Sequence, residues 1–128
     1  MASLLINTTT EGTYPFEAIL SEGESIAREK VTLITGQNLK SGTVLGKITA
    51  SGKYMAHDNA ATGATAGAEV AVAVLLADCD ATSADQTTLI LARIAEVSGD
   101  LLVWKSGISA PNKTAGIAAL AVNFIIVR

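Results

Sequence analysis

A chain with a single cysteine cannot form an internal disulfide, and Cys79, lying between Asp78 and Asp80, reads as a passive thiol in a reducing cytoplasm. Histidine is equally scarce. His57 stands alone beside Asp58 and Asn59, so no paired-imidazole metal site can be built, and it reads as a strand-end or loop residue. Charged side chains make up only 16% of the chain, below the roughly 25% of an average soluble domain. The nine Lys and Arg residues are dispersed and the formal net charge is −3, which leaves counterion release without a source and excludes nucleic acid as the partner. Long apolar runs are missing too, so no membrane span is expected. The start Met1-Ala2-Ser3-Leu4-Leu5-Ile6 has no basic residue and too short an apolar run for a secretory signal. Without that context, Asn7-Thr8-Thr9 and Asn112-Lys113-Thr114 are chance matches to the glycosylation pattern.

What the chain does contain is apolar and β-forming. Hydrophobic residues reach 49%, more apolar surface than a small monomer readily hides, which favours an oligomer or a partner-bound state. At 128 residues it is long enough for one domain that folds without staples. Residues 1–25 read as an N-terminal arm and 26–128 as a β-rich body. The arm has no sustained period, yet it carries Leu4, Leu5, Ile6, Tyr14, Phe16, Ile19 and Leu20, too many large apolar groups for a segment meant only to stay solvated. It is expected to be flexible in the free protein.

The body opens with a meander. Val31 and Leu33 alternate with Lys30 and Thr32, Val44 and Ile48 alternate with Leu45, Lys47 and Thr49, and Gly36, Gly42 and Gly52 punctuate the turns. Residues 58–68 read as a loop with little to pack, and Val70 to Leu76 as a strand buried on both faces. Asp78 to Asp85 reads as a second polar loop, Thr87 to Val97 and Leu101 to Trp104 as strands, and Phe124 to Val127 as the last strand. Between them, Ile117, Leu120 and Ala121 fall at helical spacing, with Pro111 ahead and Asn112 or Thr114 as the expected cap.

Chemistry is harder to find. Asp78, Asp80 and Asp85 lack the glycine and terminal glutamate of a calcium loop. Gly46 to Tyr54 fails as a phosphate loop, because the spacing is one residue too long and Tyr54 stands where a magnesium-binding Ser or Thr is needed. Trp104 is most simply a core or interface aromatic. No catalytic residue, metal site or cofactor is assigned.

The run Arg28-Glu29, Val31-Thr32-Leu33, Gly36-Gln37-Asn38-Leu39, Gly42-Thr43-Val44-Leu45-Gly46-Lys47 and Ser51-Gly52-Lys53-Tyr54 resembles the signature of the lambda-type head decoration proteins of tailed bacteriophages. The likeness extends more loosely to the C-terminus and begins near Tyr14. It implies a mainly β fold, a β-clip-like small barrel or meander with a short C-terminal helix. It further implies a non-enzymatic homotrimer on the outer surface of the virion, made in the bacterial host cytoplasm. Such a trimer would sit at three-fold and quasi-three-fold sites of the expanded head and clamp the major capsid protein against DNA pressure. On this reading Tyr14, Pro15, Phe16, Ile19 and Leu20 are the expected capsid-binding residues, with Leu4, Leu5 and Ile6 as further arm contacts. Two other classes are weaker. A dUTPase-like β-clip enzyme would need aspartate-containing substrate motifs and a glycine-rich tail, which are missing. A carrier-type binding domain would need a modified lysine at a hairpin tip, where Lys53 lies between Gly52 and Tyr54 without the acidic or methionine flank.

Overall fold

The computed structural model describes residues 18–128, side chains at positions 24 and 25 excepted. It is mainly β. Five strands close a barrel: β2 (Arg28–Leu33), β4 (Val44–Lys47), β5 (Tyr54–Ala56), β6 (Ala71–Leu75) and β8 (Gln86–Leu91). They are joined in the order β2-β5-β4-β6-β8. The longest ladder is antiparallel and runs from Arg28 opposite Leu91 to Leu33 opposite Gln86. Closure comes from a single parallel step, Leu33 beside Tyr54. The β4–β5 hairpin turns at Gly52, whose φ of 73° suits a residue without a β-carbon.

Side chains alternate through the barrel wall. Leu45, Tyr54, Ala73, Leu75 and Ile90 form one cluster with Val31, all from barrel strands, and fill the interior. Val44, Ala71, Val74, Leu76 and Leu91 point the other way into a larger cluster. That cluster is covered by helix α1 (Ala110–Val122) and by a sheet of three short strands, β1 (Ile19–Glu22), β9 (Ala95–Val97) and β10 (Ile125–Val127). β6 therefore carries apolar residues on both faces, as its composition implies. A small pair, β3 (Gln37–Leu39) with β7 (Cys79–Ala81), completes the fold.

Several expectations are revised. The segment read as a strand from Thr87 to Val97 is two strands in different sheets. The chain breaks at Ile94, whose φ is 54°, a value that ends an extended run. Leu101 to Trp104 is not a ladder strand: a 3-10 turn covers Gly99–Leu101, and only Val103 bridges, beside Thr43. α1 is capped by Ser109, whose hydroxyl accepts from the Asn112 N–H, rather than by Asn112 or Thr114. Pro111 then occupies the first turn, where no N–H is required. The polar stretch after Asp78 holds β7. The loop over residues 58–68 is not empty of packing, because Ala68 is fully buried.

β1 matters most for function. It lies within the segment read as an arm, yet it pairs antiparallel with β9, Ile19 opposite Val97 and Glu22 opposite Ala95. Glu22 also accepts two hydrogen bonds from the Arg28 guanidinium, at 2.8 and 2.6 Å. That fork holds the Glu22 carboxyl below its ordinary pKa, chiefly through the hydrogen bonds from Arg28 and secondarily through its charge. A carboxylate depressed by folding stabilises above its unfolded value of about 4.3 and loses that contribution as pH falls through the folded value. Asp58 and Asp85, each paired with a lysine, shift in the same direction. The thermal midpoint is therefore expected to fall between about pH 5 and pH 3, and Glu22→Gln should shallow that fall in circular-dichroism melts.

Candidate functional site

A short strand at a sheet edge offers backbone groups that no neighbour has used. In the sheet β1-β9-β10, β1 is bonded to β9 on one side, and among the described residues no strand covers its other edge. Its side chains divide. Ile19 packs against the larger core cluster, whereas Leu20 is 54% exposed. The sequence had grouped the two as equivalent contacts, and the pleat separates them. Tyr14, Pro15, Phe16, Leu4, Leu5 and Ile6 lie outside the described residues.

The outward face of the same sheet carries a mainly apolar groove. Ile94, Phe124 and Ile126 line a shallow groove of about 300 Å³ with Ser21, Gly23 and the acidic Glu22 and Glu96. Gly23 lies flush against Ile94, since a β-carbon there would come within 2.7 Å of Ile94 Cγ2. The sequence reading missed this surface, because Ile94 was absorbed into one long strand and Phe124 into another.

The remaining candidates are tied into the scaffold. His57 is buried, its Nε2 donating to the Glu69 carbonyl at 3.1 Å, and its ring meets Trp104 edge-on with centroids 6.0 Å apart. Trp104 in turn packs over Gly116 of α1, where a β-carbon would come within 2.5 Å of the indole. This assembly fixes the helix to the barrel and leaves His57 only 3% exposed, at the edge of a small pocket between the barrel and α1 that Asn59, Glu69, Asn112 and Gly116 also line. Asp78 accepts from the Ser41 N–H, Asp80 from the Thr82 N–H, and Asp85 from the Thr35 N–H while pairing with Lys53 at 2.6 Å. Asp80 therefore holds its own turn, while Asp78 and Asp85 tie their loop to the distant backbone at Ser41 and Thr35. Among the described residues no group of three His, Cys, Asp or Glu could hold a metal ion. Lys53, the one lysine a carrier domain would modify, is held by Asp85 rather than displayed. No described helix is long and apolar enough to cross a membrane.

The family model for the bacteriophage lambda head decoration protein D matches residues 8–125. The chain belongs to this family. The match takes in the whole barrel, α1 and the entry to β10, and it makes the protein a component of a phage head, a structural family rather than an enzyme family. No curated protein matches the chain. For a decoration protein the polar side chains discussed above are scaffold. Cys79→Ser and Asp80→Ala are accordingly expected to leave binding to phage heads within about threefold of wild type, measured by titrating each variant onto heads. His57→Ala is a poorer control, because it would open a cavity beside Trp104.

Proposed function

We propose that the protein is a homotrimeric clamp on the outer surface of the expanded phage head, seated at three-fold and quasi-three-fold points where capsid subunits meet. The segment from Tyr14 to Leu20 engages the major capsid protein, with Leu4, Leu5 and Ile6 as further contacts. The observation that carries this reading is the edge of β1 that no strand covers among the described residues, where that segment ends, in a chain that belongs to a head decoration family. A strand supplied by a capsid subunit continues the sheet there through main-chain hydrogen bonds, and Leu20 faces outward beside it. Ile19, partly buried against the core, also anchors β1 at the point where this segment meets its partner.

Threefold symmetry supplies the strength. A trimer offers three identical edges to three equivalent subunits, and once one is seated the others bind at high local concentration. The free chain of 13.1 kDa is expected to sediment near 39 kDa at high concentration, three times the monomer. Expanded heads carrying the protein should survive heating that ruptures bare heads. Equal rupture temperatures with and without saturating protein would defeat the clamp.

A further inference from the structure

Ile94 and Phe124 are the two non-glycine residues with positive φ among the described residues, at 54° and 61°. They are neighbours across a backbone ladder: the Ile94 N–H donates to Asn123 O at 3.1 Å and the Ala95 N–H to Phe124 O at 2.9 Å. The left-handed region penalises a β-carbon, and a β-branched or bulky side chain there is an outlier. Phe124 follows the Asn123 C-cap of α1, the position where helices ordinarily place glycine or asparagine. Both side chains are nevertheless large, apolar and exposed, Ile94 to 41% and Phe124 to 68%. Folding gains little from either choice, since backbone strain and apolar exposure coincide at one spot. Strain retained in this way points to use.

The surroundings indicate the occupant. Glu22 and Glu96 on the groove wall are neutralised within the chain, by Arg28 and by Arg128 at 2.9 Å, so the groove asks for an apolar group rather than a counter-charge. It is continuous with β1, because Gly23 at the end of that strand rests on Ile94. A partner strand added to the β1 edge that is uncovered among the described residues would thus lie alongside Ile94 and Phe124.

We propose that Ile94 and Phe124 form a second, rigid contact with the major capsid protein, seating an apolar side chain of a capsid subunit between them and Ile126. This deepens the function proposed above and rests on it. The test uses full-length Ile94→Asn, Phe124→Asn and Phe124→Leu beside wild type, mixed with purified expanded heads that lack the protein. Asparagine suits a positive φ, so both Asn variants should unfold at or above the wild-type temperature, yet their bound copies at subsaturating concentration should fall about tenfold or more. Phe124→Leu keeps an apolar group and should stay within about threefold of wild type. A folded Phe124→Asn that binds as well as wild type would overturn this contact alone. A loss of self-association in the Asn variants, seen by sedimentation, would assign the ridge to a contact between copies and overturn it as well. Wild-type protein that fails to bind heads would remove the proposed function and this contact with it.

Discussion

Removing residues 1–17 is expected to lower binding to expanded heads by about a hundredfold or more while leaving the thermal midpoint within about 2 °C of the full chain. The stability half follows from the cores. Among the described residues, both clusters are built from positions after Ala18, and β1 keeps its ladder to β9, its Ile19 packing and the Glu22–Arg28 fork. The binding half follows from the proposed trimer, which would lose three copies of the same contact so that the penalties compound. Removing residues 1–24 should behave differently. That deletion takes away β1, so the cost of losing Ile19 and the ion pair is about 2–4 kcal/mol, or roughly 10 °C for a domain of this size. A free arm running to residue 25 would predict equal melting for the two deletions, whereas the observed pairing of β1 predicts a clear separation. Calorimetry of both proteins beside their head occupancies checks this.

A second large effect is expected at Gly46. In β4 a β-carbon on this residue would come within 2.5 Å of Ala68 O and 2.6 Å of Ala68 Cα. Those are backbone atoms of a fully buried residue, so no side-chain rotation relieves the clash. The ladder between β4 and β6 already shifts register between Leu45 and Gly46 to bring the loop this close. Gly46→Val should therefore cost about 3 kcal/mol or more, read as a fall in the urea midpoint, and head binding should be lost through unfolding. By contrast Gly36 and Gly52 have open space around the same position, and their constraint is conformational alone.

The same comparison shows how far the residues themselves specified the fold. β6 was legible because Val72, Val74 and Leu75 leave no polar face, a pattern that only a strand covered on both sides sustains. Helix α1 was legible from the spacing of Ile117 and Leu120, but its cap was not. Ser109, Asn112 and Thr114 all have capping side chains, and the choice falls on the residue that lets Pro111 sit in the first turn. β7 was hidden because Asp78, Cys79 and Asp80 look like a loop. Its strand state comes from backbone pairing with β3, which period-two patterning does not register. β1 was hidden for a related reason: four residues with no period of their own become a strand only because β9 is there to receive them. The break at Ile94 leaves no trace in composition, since an isoleucine in an alternating run reads as strand whatever its φ. At the candidate site, the apolar character of the segment ending in Leu20 was readable. The inward turn of Ile19 and the pairing of Ile94 with Phe124 required the sheet.

The central claim is that this domain binds the outside of an expanded phage head through the β1 edge and the segment before it. Cosedimentation tests it most directly: full-length protein and the 1–17 deletion are each titrated onto expanded and onto unexpanded heads of the parent phage, and bound copies are counted. Saturable binding of the full chain to expanded heads, in multiples of three per site, with little on unexpanded heads and little by the deletion, is the predicted result. Equal occupancy by the deletion, or no binding of the full chain to expanded heads, would contradict it.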